Sequence, residues 1–386
     1  MKHLARFLTS LAILGALPVG CPDRQVLGAE TSPIRSDEEV VFYPTFGRLS
    51  PDGSSWLLAI HGSIFEPEAN SVKRAATLAA MRRGLGLEMT SAEAKTFDRR
   101  MRAFLVDHER GKRMLVRVGS QTYVVGRSEP NGHFSDEIRL AAADAQKLLR
   151  DAGAGGWLPF EALTRSGDKR RFPGRVQLIG PTGLSVVSDV DDTIKISQVR
   201  DRKAMLANTF LRPFRPVPGM AAAYRRLAAG GATFHYLSAS PWQLYEFLAE
   251  FVAAEKFPPG TFHLKYFRLT DSTFWDLFTS QEEYKSKVLE ELLAAFPQRR
   301  FLLVGDTGEQ DPEIFARIAR ARPERVVGIW LRNVTGESGD NARMTPLRAA
   351  VRPEGWKLFT EPGELESAVQ EALRLAPGRV GRSPTE

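Results

Sequence analysis

Residues 184–193 read LSVVSDVDDT, and this stretch decides the fold. Leu184 to Val190 is an apolar run of strand length. It ends on three acids in four residues: Asp189, Asp191 and Asp192. Packing does not explain such an ending. Like charges this close repel one another, and desolvation adds to the cost. A bound divalent cation removes that cost, and hard oxygen ligands suit Mg²⁺.

Working outward, the sequence after residue 184 alternates strand and helix patterns. Thr233–Leu237, Phe301–Val304 and Val326–Leu331 read as strands. Met220–Ala229, Gln243–Ala254, Tyr284–Phe296, Pro312–Arg320 and Pro362–Leu375 read as helices. That rhythm implies βαβ units and a parallel sheet. Ligands in such sheets bind beyond the carboxyl ends of the strands. Two more motifs fall at strand ends. Gly305-Asp306-Thr307-Gly308-Glu309-Gln310-Asp311 follows FLLV and brings further acids. Ser238-Ala239-Ser240-Pro241 follows TFHYL and offers hydroxyls and free N–H groups where a helix opens. Lys285 begins YKSKVLEELLAAF and adds a positive charge. A carboxylate-held metal beside an anion cradle and a lysine is the set that phosphoryl transfer requires. The residues alone do not say which acid attacks.

The motifs resemble those of a known family. DVDDT matches the DxDxT signature of haloacid-dehalogenase-type phosphatases, and Ser238, Lys285 and GDTGEQD stand in the order of that superfamily's other motifs. The runs SDVDDTIK, PVPGM, YLSASPWQLY, YKSKVLEELLAAFP and FLLVGDTGEQDPEIF resemble one branch, the phosphatidate phosphatase catalytic domain of fungal actin-patch proteins, over about residues 170–335. The resemblance implies a Rossmann-like α/β fold, a parallel sheet with a small cap or none. It implies Asp189 as nucleophile, forming an aspartyl-phosphate. Asp191 would be general acid and then base. Asp189, the Asp191 carbonyl and Asp306 would hold Mg²⁺, with Asp311 a further acid on the metal side. Ser238 and Lys285 would bind the phosphoryl group, and Thr193 would brace the loop. The expected reaction takes phosphatidate to diacylglycerol and phosphate. The rival readings are a phosphatase on a non-lipid monoester and a catalytically silent lipid- or metal-binding module.

Neighbouring residues take blander roles. Lys285 is preferred to Lys287 by its spacing to Phe296-Pro297, and Ser238 to Ser240 by its place next to the strand. Asp192 reads as a loop-stabilising acid, Trp242 and Tyr245 as helix packing, and His235 as a core residue.

The chain has 386 residues, enough for two domains at roughly 150 residues each. Residues 38–180 read as strands with a helical insert, so a β-rich domain precedes the phosphatase domain. Its strands are Glu39–Phe46, Trp56–Phe65, Lys112–Val118, Gln121–Arg127 and His133–Leu140, and its helices Ala69–Arg83 and Ser91–His108. The expected divisions are 30–176, 177–375 and a flexible tail 376–386. Nothing in the first domain reads as catalytic, and His61, His108 and His133 lack ligand spacing.

Residues 1–29 read as a signal peptide, with a positive start and the apolar run LAILGALPV. Two processing outcomes compete: a lipoprotein anchored through Cys21, the sole cysteine, and soluble export after Ala29. Either places the protein outside the cytoplasm, in the periplasm of a bacterium or on a membrane. The net charge of +7 favours anionic partners. The basic residues are dispersed and no groove-reading motif appears, so nucleic acid is not expected. Arg200, Arg202, Lys203, Arg212 and Arg215, interleaved with Phe210, Leu211 and Phe214, give two readings: peripheral contact with a phospholipid surface, or a solvated basic face over core aromatics. The segment Ile194–Gly231 between the first two motifs, about forty residues, leaves little room for a cap, and Pro258–Gln281 reads as a small flap.

Overall fold

The structure is a computed structural model that describes residues 31–67, 72–86, 88–152, 155–267 and 281–375. The signal segment with Cys21, the tail 376–386 and most of the expected flap lie outside the described residues. Two sheets organise the chain.

The first sheet carries β1 (Glu39–Phe42), β2 (Thr45–Leu49), β3 (Ser55–Glu66), β4 (Asp107–His108), β5 (Arg113–Val118), β6 (Gln121–Arg127), β7 (His133–Ala141), β8 (Trp157–Ala162) and β9 (Pro173–Ile179). Helices α1 (Val72–Leu85) and α2 (Ser91–Arg102) form the insert between β3 and β4, and α3 (Ala142–Ala152) follows β7. Strand β3 is the spine, pairing antiparallel with β1, β2, β4 and β7.

Three expectations shift here. The single strand Glu39–Phe46 is divided at Tyr43-Pro44, because proline has no N–H to continue the ladder. The helix expected to His108 stops at Arg102, and His108 instead pairs with Phe65 on β3. The division expected between residues 176 and 177 falls inside β9. That strand pairs throughout with β2 and β8, so the change of sheet comes in the turn at residues 180–183.

The second sheet runs β12 (Thr261–Lys265), β11 (Thr233–Pro241), β10 (Leu184–Asp189), β13 (Arg300–Asp306), β14 (Val326–Arg332), β15 (Trp356–Phe359). All its pairs are parallel. Its helices are α4 (Arg202–Leu206), α5 (Met220–Ala229), α6 (Tyr245–Ala254), α7 (Gln281–Ala295), α8 (Asp311–Ala321), α9 (Met344–Arg348) and α10 (Glu366–Arg374). Strand order runs outward in both directions from β10. The switch point of this doubly wound sheet therefore lies at the carboxyl end of β10, where the DVDDT stretch begins. All six residues of β10 are buried, as a central parallel strand requires.

The expected flap gives way in part to β12, which extends the sheet beside β11. Residues 202–211, unassigned in the sequence, form α4 and one π-helical turn. This segment docks on α2: Arg100 Nη1 donates to the Thr209 carbonyl at 2.7 Å, and Phe104 meets Phe210 edge-on at 6.1 Å. Phe210 and Leu211 are buried, and Arg212 pairs with Glu93. Phe210 and Leu211 thus belong to the core, while Phe214 is half-buried under the Arg100 guanidinium. The two sheets share core. Tyr43 lies 4.2 Å from Trp242, and Phe46 lies 5.0 Å from Phe296, centroid to centroid. No helix among the described residues is long and apolar enough to cross a membrane.

Candidate phosphoryl-transfer site

The site forms where β10, β11 and β13 end side by side. Asp189 is the last residue of β10, is 2% exposed, and pairs across to Leu237, the residue before Ser238. One oxygen accepts a hydrogen bond from Thr193 Oγ1 at 3.0 Å, and the other accepts from Lys285 Nζ at 2.7 Å. Lys285 projects from α7 and also reaches Asp311 Oδ1 at 2.6 Å and Glu309 Oε2 at 3.1 Å. Lys287 is exposed and faces Glu291.

Asp191 points the other way. Its Oδ1 accepts from Lys195 Nζ and Ser197 Oγ, each at 2.6 Å. Its Oδ2 accepts from Ser238 Oγ at 3.0 Å and Ser240 Oγ at 3.3 Å. Ser238 Oγ in turn accepts the Ser240 N–H at 3.0 Å. The carboxylate group does not join the other acids, so any metal contact from this residue falls to its backbone.

Asp192 holds the loop's shape. It sits at φ 55° and accepts from the N–H groups of Ser197, Gln198 and Val199 at 2.8, 2.9 and 2.7 Å. Arg332 caps the same residue from β14, donating to its carbonyl at 2.7 Å.

Asp306 and Asp311 complete the acid group. Asp306 Oδ1 accepts the Gly308 N–H at 2.5 Å. Asp306 Oδ2 and Asp311 Oδ2 are buried with no hydrogen-bond partner among the described residues. Oxygens of Asp189, Glu309 and Asp311 all lie within 4.8 Å of one another.

The charges do not balance around one ammonium. Burial pushes Asp189 well above the usual carboxylate range, and Asp311, Glu309 and Asp306 push it further, against the pull of Lys285. Asp306 and Glu309 are raised for the same leading reason, burial. Burial works against the Lys285 charge, but Asp189, Asp311 and Glu309 outweigh it and hold the amine well above its ordinary value. Asp191 differs. Burial would raise it, yet Lys195 and the Ser197 and Ser238 hydroxyls hold it down to about 2. An acid-rich pocket with two orphaned, buried carboxylate oxygens fits a hard divalent cation. Asp189, Asp306, Glu309 and Asp311 offer the ligand oxygens.

The sequence reading did not single out Lys195, Ser197, Glu309 or Arg332. Lys195 had a visible signal, a lysine between two isoleucines in TIKIS. Glu309 lay inside a quoted motif. Arg332 had none, because only the sheet brings β14 beside the DVDDT loop. His61 and His133, which looked scattered, meet at 3.2 Å because β3 and β7 are antiparallel. They pack with Tyr43 on Trp242, which follows the cradle. His235 is a buried core residue bonded to Thr261.

Residues 184–333 match the family model described as the phosphatidate phosphatase APP1 catalytic domain. The chain is 32% identical over 166 residues to phosphatidate phosphatase APP1 of Saccharomyces cerevisiae, covering 42% of this chain and 28% of that protein. It is 28% identical over 172 residues to an uncharacterized protein of Schizosaccharomyces pombe, covering 44% of this chain and 28% of the relative. The likeness thus spans under a third of either relative. Among solved structures, a chain provisionally assigned as a beta-phosphoglucomutase of Thermotoga maritima is 13% identical, with a TM-score of 0.29, over 48% of this chain and 98% of that one. That superposition is too loose to argue from, and the fold rests on the strand order itself.

Proposed function

We propose, from the match of residues 184–333 to a phosphatidate phosphatase catalytic domain, that this chain is a phosphomonoester hydrolase with phosphatidate as substrate. The observation that carries the reading is the fixing of Asp189 by Thr193 and Lys285 beside Ser238, at the switch point of the sheet.

In this mechanism Ser238 and Lys285 orient the phosphoryl oxygens. An Asp189 oxygen forms a bond to phosphorus as the bond to the leaving ester oxygen breaks. That oxygen takes a proton from Asp191 and departs as the diacylglycerol hydroxyl. Asp191 then removes a proton from water, whose oxygen displaces Asp189 and releases phosphate. Asp191 is ionised in the free protein, the form a base needs. The arriving phosphoryl charge raises its proton affinity, so Asp191 takes up a proton from solvent as substrate binds and delivers it in the first half. A divalent cation on Asp189, Asp306, Glu309 and Asp311, Mg²⁺ in this reading, would neutralise the acid group and offset charge on the phosphoryl oxygens. Residues 1–29 are read as an export signal, which the mass of the mature N-terminus tests.

The experiment measures phosphate release from short-chain phosphatidate in mixed micelles by residues 30–386, with and without Mg²⁺, beside Asp189→Asn. Release that EDTA and the substitution both abolish supports the full reading. Release from an aryl phosphate alone, through Asp189, removes the lipid substrate and keeps the chemistry. No release from either, with Mg²⁺ still bound, favours a binding module.

A further inference from the structure

Arg343 lies beyond the segment that matches the catalytic-domain family, yet it grips the acid loop at residues 306–311. Its Nη1 donates to the Thr307 carbonyl and its Nη2 to the Glu309 carbonyl, both at 3.0 Å. One planar guanidinium therefore holds the two carbonyls on either side of Gly308. The same side chain is anchored outside the loop. Nε donates to Glu313 on α8 at 2.7 Å, and Nη1 to Glu337 at 2.9 Å.

The strand-to-helix segment that carries Arg343 binds the loop a second time. Thr307 Oγ1 accepts the N–H groups of Val334 and Thr335 at 3.0 and 3.2 Å. Gly308 has no room between them. A Cβ there would meet Asp306 Oδ1 at 2.8 Å, and Val199 and Val334 methyls at 3.0 Å.

The loop needs this restraint. It presents Asp306, Glu309 and Asp311 to one pocket, and their mutual repulsion favours opening it. Arg343 opposes that opening through main-chain oxygens. It does not use the carboxylate oxygens that a cation would take, so it orders the ligands without competing for them.

We propose that Arg343 is a positioning residue that sets the divalent-ion affinity of the acid loop. The proposal rests on the cation reading given above.

Its test is calorimetric titration of Mg²⁺ into the full chain and into Arg343→Ala and Arg343→Lys. Loss of the fork is expected to weaken Mg²⁺ binding by about 10- to 100-fold in Arg343→Ala. Arg343→Lys keeps the charge and reaches one carbonyl, so it falls between. The Mg²⁺ concentration for half-maximal phosphate release should rise in parallel. Wild-type Mg²⁺ affinity in a variant that only melts lower would overturn the proposal and leave Arg343 a structural brace. If Arg343→Ala does not fold, Arg343→Lys decides on the same readout. A wild-type chain that binds no Mg²⁺ would overturn the cation reading itself and this proposal with it, an outcome distinct from unchanged affinity in the variants.

Discussion

Lys285 on α7 and Asp189 on β10 form a buried ion pair at 2.7 Å, and the same ammonium reaches Asp311 at 2.6 Å. One cation thus ties the end of the central strand to the start of α8. Removing it strands several carboxylates in a buried pocket. Lys285→Met should lower the unfolding free energy by about 3–5 kcal/mol, read by denaturant titration. Asp189→Asn should do the reverse. It removes a charge whose ionisation burial already disfavours, so phosphate release is lost while stability holds or rises.

Asp192 touches no phosphoryl group in the proposed reaction, yet three backbone N–H groups depend on it. Asp192→Ala leaves them without an acceptor and should cost on the order of 3 kcal/mol. Asp192→Asn should cost less, because asparagine tolerates the positive φ and keeps one acceptor oxygen. The comparison is made by thermal unfolding.

The two serines of the cradle are unequal. Ser238 is buried, accepts the Ser240 N–H and donates to Asp191 at 3.0 Å, whereas Ser240 reaches Asp191 at 3.3 Å. Ser238→Ala should lower kcat by about 10²-fold, and Ser240→Ala by far less. Steady-state kinetics on phosphatidate with equal losses in both would contradict this ranking.

Two histidines, His133 buried and His61 half-buried, make the fold acid-sensitive. Burial lowers His61 to about 3 and His133 to about 2, so both stay neutral in the folded chain. Unfolded, each takes a proton below its ordinary value near 6.5. The unfolded state therefore binds more protons, and stability falls as pH drops from about 6.5 towards 3, by about 1.4 kcal/mol per pH unit for each histidine. His133→Gln should remove one histidine's share of that slope. Unfolding free energies at pH 7, 5.5 and 4.5 provide the check.

The first sheet is bound into the same core as the second. Tyr43 covers Trp242, Phe46 covers Phe296, and Arg100 holds the 202–211 segment. Residues 180–386 produced alone would expose those faces. They should melt lower than residues 30–386 and aggregate on heating, as scanning calorimetry and light scattering would register.

Local pattern carried the second sheet. Apolar runs ending in acids or serines mark β10, β11 and β13, because strand burial and strand-end chemistry are both written in neighbouring residues. Lys285 is buried against Asp189 whereas Lys287 is exposed, and Ser238 is buried whereas Ser240 is half-buried. Short edge pieces escaped notice. Strands β12 and β15 lie at the two edges of the sheet, and neither runs into the acids or serines that mark the central strands. The segment 202–211 escaped for another reason: its helix is explained by docking on α2, a partner far away in the chain.

By itself the sequence determined which groups exist for chemistry and the order in which strands deliver them, since those depend on residue type and short-range spacing. Only the tertiary structure decided how they divide. It turned the Asp191 carboxylate towards Lys195 and Ser238 and away from the other acids, brought Glu309 beside Asp189, set Arg332 and Arg343 on the two loops, and joined His61 to His133. Apart from Asp191 and Lys195, four residues apart, those pairings join strands and helices distant in sequence, and hydrogen-bond and Coulomb energies act through space, so no spacing along the chain encodes them in readable form.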